Sequence, residues 1–144
     1  MSSSKRLWIG IDPDVDSSGI AFWTNGQLRL HTMKFFELMN ALEDVQMTAV
    51  DVFVRLEAGW LNTKSNWHEE KLGARVASRI GAKTGANHQV GKLIEEMLLY
   101  LNIPYELVKP TQKKVKQDFF KALTKYPHRT NQEQRDAAML VYGK

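Results

Sequence analysis

The chain has 144 residues, no cysteine and a formal net charge of +4. This length suits a single domain, residues 1–144, that buries a real core, and the lack of cysteine excludes disulfides, thiolate zinc sites and cysteine nucleophiles. The first apolar run is broken at Gly10 and Asp12, which argues against a signal peptide or membrane span, so we expect a soluble, cytoplasmic protein.

The charge is unevenly distributed along the chain. Residues 1–60 contain 5 Lys+Arg and 8 Asp+Glu, whereas residues 61–144 contain 15 and 8, which gives −3 and +7. A basic surface beside an acidic site is what a metal-dependent enzyme acting on a polyphosphate needs. A solvated basic face without a partner explains the same counts.

The first predicted strand, residues 7–11, is an apolar run that ends at Asp12. A carboxylate at the end of a buried strand is costly unless a cation or a hydrogen-bond donor meets it. Pro13 stops the strand, and turn-forming residues follow it. Asp12 is therefore a candidate cation ligand or, alternatively, the residue that caps this turn.

Residues 20–23 and 27–30 flank Thr24-Asn25-Gly26, and Asn-Gly between two strand-like runs predicts a hairpin. The helical spacing of apolar residues over 35–45 predicts an amphipathic helix.

Residues 49–56 predict a fourth strand, which ends at Glu57. A right-handed crossover would place it parallel to the first strand and next to it. Asp12 and Glu57 would then meet at the same edge of the sheet, where open α/β sheets keep their sites.

Five further segments follow Glu57. They are a loop or cap over the sheet (residues 59–68), a helix (72–102), a short strand (105–108), a basic helix (113–125) and a last helix that starts at Thr130. The predicted order is β-β-β-α-β-α-β-α-α.

This order, with acids after strands one and four and in the last helix, resembles the α/β ribonuclease H-like fold, a mixed five-stranded sheet flanked by helices. More narrowly, IGIDPDVDSSGIAFW and RLEAGW resemble the first two motifs of the RuvC family of Holliday-junction resolvases. YELVKPTQKKVK and EQRDAAML resemble that family's strand-turn-helix and final acidic helix. Asp14 stands where the family usually has glycine, so the turn after Asp12 differs in shape or carries an extra acid.

The resemblance implies a metal-dependent endonuclease of DNA recombination and repair that cuts branched DNA, with four-way junctions as the expected substrate. Two divalent ions about 4 Å apart can activate water and stabilise charge on the phosphate. Hard ions such as Mg²⁺ or Mn²⁺ prefer carboxylate ligands. By resemblance, the catalytic and metal-binding residues are Asp12, Glu57, Glu133 and Asp136.

Glu133 and Asp136 are three residues apart on a helix and would share one face. Thr130-Asn131-Gln132-Glu133 also fits a capping box, so Glu133 is either a helix cap or a metal ligand. No cap explains Asp136. His128 is a further candidate ligand or proton carrier, with a simple loop histidine as the alternative.

Binding to DNA phosphates is expected from basic residues of the second half. They are Lys109, Lys113, Lys114, Lys116, Lys121, Lys125 and Arg129. Trp60 lies three residues after Glu57, where the family carries an aromatic wedge, and stacks on bases or caps the edge of the sheet. Trp67 is interpreted as structural.

Two rival functions remain open. One is a nuclease of the same fold that acts on a flap or an RNA-containing hybrid. The other is a non-catalytic nucleic-acid-binding relative, against which the complete set of acids argues. The family also implies a homodimer, because a junction with two-fold symmetry needs two sites, and residues 90–101 are the candidate interface.

Overall fold

The computed structural model describes residues 6–48, 51–62 and 74–144. Its elements are β1 (Leu7–Asp12), β2 (Ser18–Thr24), β3 (Gln27–Met33), α1 (Phe35–Thr48), β4 (Val52–Glu57), a 3₁₀ turn (Gly59–Leu61), α2 (Ala74–Tyr100), β5 (Tyr105–Val108), α3 (Gln117–Thr124) and α4 (Gln132–Val141). This order confirms the predicted one. Over the described ranges, no helix is both long and apolar enough to cross a bilayer.

The five strands form one mixed sheet in the order β3-β2-β1-β4-β5. β1 pairs antiparallel with β2 and parallel with β4. Because Ile11 pairs with Leu56, the next residues, Asp12 and Glu57, end their two strands side by side. The predicted convergence of the first two acids is confirmed.

The β2–β3 hairpin turns at the predicted Asn-Gly pair. Asn25 and Gly26 have φ values of 53° and 73°, the left-handed conformation that a tight primed hairpin turn requires.

Each face of the sheet packs against different helices. Ile9 and Ile11 point to one face, where they join buried residues of α1 and α2 such as Leu38 and Leu98. Ala21, on the other face, packs with buried residues of α3 and α4. The alternation of side chains along each strand therefore divides the core into two layers.

Two glycines allow α4 to lie directly on the sheet. A Cβ at Gly10 would lie 2.1 Å from the carbonyl oxygen of Ala137, and one at Gly19 would lie 2.2 Å from that of Glu133. Such distances are far inside van der Waals contact, so only glycine fits at these positions. This close approach brings the acidic helix to the edge of the sheet where Asp12 lies.

The predicted start of the basic helix, at residue 113, was wrong. α3 begins at Gln117 with Lys116 at its N-cap, so the residues from Lys113 onward form a loop first. The reason is tertiary: the carbonyl of Val115 accepts a hydrogen bond of 2.8 Å from Arg135 Nε of α4.

Other predicted boundaries differ less. The last helix begins at Gln132, after the N-cap Asn131, and not at Thr130. α2 ends at Tyr100, and Asn102 adopts a left-handed φ of 56° that stops the helix. Part of the predicted 59–68 loop, including Trp67, lies outside the described residues, as do the first two residues of the predicted fourth strand.

Candidate active site

Three of the four predicted carboxylates come together at the carboxyl edge of the sheet. Asp12, Glu57 and Asp136 each offer one oxygen, and these oxygens all lie within 4.8 Å of one another. The first two residues end β1 and β4, and the third comes from α4. All three are partly buried. We call this set the carboxylate group.

Burial raises the pKa of Asp12 to about 10, with further contributions from a hydrogen bond to Glu57 and from the charges of Glu57 and Asp136. Lys114 acts in the opposite direction but does not offset them. Without a cation, Asp12 therefore keeps a proton at neutral pH. Three carboxyl groups lie close together here, and Lys114 offsets only part of their negative charge. Such a set of oxygen ligands fits a divalent ion, whose binding would displace the proton of Asp12.

Asp136 is fixed by two donors. Lys114 Nζ donates to its Oδ2 at 2.8 Å, and Gln132 Nε2 donates to its Oδ1 at 2.8 Å. Burial acts to lower the pKa of Lys114, but the hydrogen bond and charge of Asp136, with the charges of Glu57 and Asp12, outweigh it and raise that pKa. The Lys114 ammonium therefore belongs to the site itself, whereas the sequence indicated only a contact to DNA.

Arg135 holds the loop that carries Lys114. Its guanidinium donates to the carbonyl oxygens of Val115 and Thr130, each at 2.8 Å. Gln117 Oε1 accepts from Thr130 N at 2.9 Å. These bonds connect the loop before α3 to α4. The sequence prediction missed Arg135, and a single arginine beside an acid in a helix carries no signal that would have found it.

Glu133 does not join the carboxylate group. It lies in the first turn of α4, outside the set of oxygens that approach one another. The capping box uses different residues: Asn131 Oδ1 accepts from Gln134 N at 2.8 Å, and Gln134 Oε1 accepts from Asn131 N at 3.0 Å. The predicted box of Thr130 and Glu133 was wrong by one residue. A ligand role for Glu133 stays a prediction.

Asp14, the departure from the family motif, shapes the turn after β1. Its Oδ1 accepts from Asp16 N at 2.9 Å and from Ser17 N at 3.4 Å. The same turn is attached to α2, because Val15 N donates to Asn87 Oδ1 at 2.7 Å. Asp14 thus caps the turn. The capping role that was the alternative for Asp12 is therefore filled by Asp14.

A cleft of about 320 Å³ opens on the Asp12 side of the carboxylate group. We call it the α2 cleft, because Thr84, Asn87 and His88 of α2 form one of its walls. His88 and Asn87 were not found from the sequence, where they are ordinary polar residues of a helix. Burial, followed by the charge of Lys92, lowers the pKa of His88.

Trp60 also lines the α2 cleft, but its ring is anchored. A Cβ at Gly91 would lie 2.3 Å from Trp60 Cζ3, so the indole lies directly on the backbone of α2. The ring is half-buried and packs against the main core. These contacts favour the structural alternative, and a contact of Trp60 with DNA stays a prediction.

A second cleft of about 320 Å³ lies on the other side of the carboxylate group. We call it the basic cleft, because Lys109 and Lys113 line it together with Glu57 and Asp136. All seven predicted phosphate-binding cations are exposed. His128 is exposed, packs edge-on against Tyr126 at a centroid distance of 5.5 Å, and lies outside the carboxylate group.

No protein-family model and no curated protein matches the chain. Among solved structures, T. thermophilus RuvC in complex with Holliday junction substrate is similar, with a TM-score of 0.54 and 12% sequence identity over 94% of this chain and 89% of that chain. At this identity, the likeness shows the fold alone. The chain therefore has a RuvC-like, ribonuclease H-like fold, with three clustered carboxylates at the carboxyl edge of its sheet.

Proposed function

We propose that this chain is a metal-dependent, structure-specific endonuclease that hydrolyses phosphodiester bonds in branched DNA, with four-way (Holliday) junctions as its substrate. The observation that carries this proposal is the carboxylate group, which β1, β4 and α4 assemble on a RuvC-like sheet. A place in DNA recombination and repair, and action as one nuclease domain over residues 1–144, belong to the same proposal.

Asp12, Glu57 and Asp136 would hold Mg²⁺ or Mn²⁺. Such an ion would activate a water molecule and neutralise charge that develops on the phosphate. The chain itself supplies a desolvated carboxyl at Asp12 and two donors that hold Asp136 in place. The Lys114 ammonium, 2.8 Å from Asp136, is close enough to the group to meet a phosphate oxygen as well.

DNA would be held mainly through its phosphates. The seven exposed cations lie in one stretch, residues 109–129, that leads from β5 through α3 towards α4. Contacts of this kind give salt-dependent affinity without sequence information. Selectivity for branches must then come from the shape of the site.

A homodimer would supply the two active sites that a two-fold symmetric junction requires. Within α2, Ile94 and Leu98 are buried in the core, whereas Leu93, Leu99 and Tyr100 are exposed. Tyr100, which is 81% exposed, borders an apolar groove of about 370 Å³ between α1 and α2. Exposed apolar surface of this kind is typical of protein contacts, so we place the dimer interface on this face.

A cleavage panel tests the function. The protein with Mg²⁺ is incubated with a four-way junction, a flap, an RNA–DNA hybrid, a duplex and a single strand. We expect paired cuts in the junction, their loss in chelator, and their loss in Asp136→Asn. Asp16→Asn, an exposed acid of the neighbouring turn, is the matched control and should cut normally. Cleavage of the flap or the hybrid alone would replace the substrate, and a fully active Asp136→Asn variant would contradict the proposed site.

A further inference from the structure

The two clefts meet at the carboxylate group and differ in chemistry. Glu57 lines both, so a strand whose scissile phosphate lies at the carboxylates would extend into one cleft on each side. The basic cleft offers the cations Lys109 and Lys113, which suit a phosphate. Among the described residues that line the α2 cleft, Lys114 is the only cation, and it is paired with Asp136.

The α2 cleft instead has the lining of a site for a nucleobase. Trp60 and two proline rings supply apolar surface, and Thr84, Asn87 and His88 supply uncharged polar groups. Its volume, about 320 Å³, is at the lower end of the roughly 300–1,000 Å³ of small-ligand pockets. That space suits one nucleotide and not a stacked pair.

We propose that the α2 cleft binds the sugar and unstacked base of the nucleotide on one side of the scissile phosphate, and that Asn87 and His88 contact this base. The proposal rests on the nuclease function and specifies its substrate: a strand with a base that can leave its stack beside the cut. Removing a base from the stack costs least where pairing is already interrupted, as at a branch point.

The hydrogen bonds of Asn87 leave it suited to this role. Its Oδ1 is occupied by Val15 N at 2.7 Å, so its amide NH₂ is the group that remains to donate to an acceptor on a base edge. The same bond fixes the side chain between the β1–β2 turn and the cleft.

His88 is held against the turn that follows β4. A Cβ at Gly59 would lie 2.8 Å from His88 Nε2, and the ring centroids of His88 and Trp60 are 6.4 Å apart. Its lowered pKa keeps the imidazole neutral at neutral pH, with one donor and one acceptor. A neutral imidazole suits a base edge better than a phosphate.

The first experiment uses the unaltered enzyme. After the cut position is mapped, the junction is rebuilt with an abasic residue immediately 5′ of the cut and, separately, immediately 3′ of it. We expect the single-turnover rate to fall by about ten-fold for one position only, as the loss of a base's contact with an aromatic side chain such as Trp60 implies. Equal rates for both positions and the intact junction overturn the proposal, and so do equal losses at both positions.

The second experiment combines substrate and protein changes. His88→Ala should lower the rate on the intact junction by about five-fold, as the loss of one hydrogen bond to the base edge implies, and should cause no further loss on the sensitive abasic junction. Asn87→Asp, which keeps the acceptor for Val15 N but removes the NH₂ donor, should behave the same way and serves if His88→Ala does not fold. The control is Gln89→Ala, a change at an exposed neighbouring residue of α2, which should cut both junctions at the rates of the unaltered protein.

Losses that are equal on intact and abasic junctions would mean that Asn87 and His88 act only on the structure, which overturns the inference. An unaltered protein that cuts no branched DNA would instead refute the proposed function. The two failures are therefore distinguishable.

Discussion

Replacing Asp12 with asparagine should stabilise the metal-free protein. The pKa of this carboxyl is about 10 in the fold, against an ordinary value of 3.8. Because the folded value is the higher one, stability is unaffected below about pH 3.8 and is lost as the pH rises towards 10. At pH 7, about three pH units above the ordinary value, the cost is about 4 kcal/mol, since each unit is worth about 1.36 kcal/mol.

Asparagine does not titrate, and its NH₂ can donate to Glu57 as the protonated carboxyl does. We therefore expect Asp12→Asn to gain up to about 4 kcal/mol at pH 7, which for a chain of this size raises the Tm by roughly 10 °C. The gain should be larger at pH 9 than at pH 6. Thermal unfolding followed by circular dichroism in chelator, across this pH range, measures it.

Divalent ions should stabilise the unaltered protein and not the Asp12→Asn variant. Mg²⁺ should raise the Tm of the unaltered protein, more at pH 9 than at pH 6 because the ion displaces the proton of Asp12, and should leave Asp12→Asn almost unchanged. Asp16→Asn, whose side chain is 81% exposed in the unaltered protein, is the control and should keep the normal response. An Asp12→Asn variant that melts at or below the parent in chelator would refute the electrostatic reasoning.

Three further predictions concern packing, affinity and assembly. Gly10→Ala should destabilise the protein by at least the roughly 1–3 kcal/mol typical of overpacking, because the new Cβ meets the backbone of α4. Gly85→Ala, with open space around it, should instead stabilise α2 by up to about 1 kcal/mol. Thermal melts of the two variants test this difference. Neutralising Lys109, Lys113 and Lys116 together should weaken binding to junction and duplex alike and should flatten the slope of log affinity against log salt concentration by about three. A loss of affinity confined to the junction would contradict simple phosphate contacts. Tyr100→Glu should yield monomers in light scattering while Phe119→Glu, an exposed aromatic of α3, should not; equal masses for both variants would exclude the α1–α2 face.

Local chemistry in the sequence determined the framework of the site. The Asn25-Gly26 turn and the apolar runs that end at Asp12 and Glu57 depend on neighbouring residues alone, so they could be predicted. The placement of β4 beside β1 followed from the handedness of crossovers. Together these predict two acids at one edge, and the helix spacing with the family resemblance added Asp136.

What the sequence left open depended on contacts between distant segments. α4 begins at Gln132, two residues after the predicted Thr130, because the cap at Asn131 decides where the helix starts. Its docking on Gly10 and Gly19 sets its rotation on the sheet, and this rotation places Asp136, and not Glu133, among the carboxylates.

The α2 wall of the cleft is a second case. Nothing near His88 in sequence indicates a site, and only the packing of α2 against Gly59 and Trp60 brings it there. Side chains that reach a site from a helix far along the chain are positioned by tertiary packing, which local patterns do not encode.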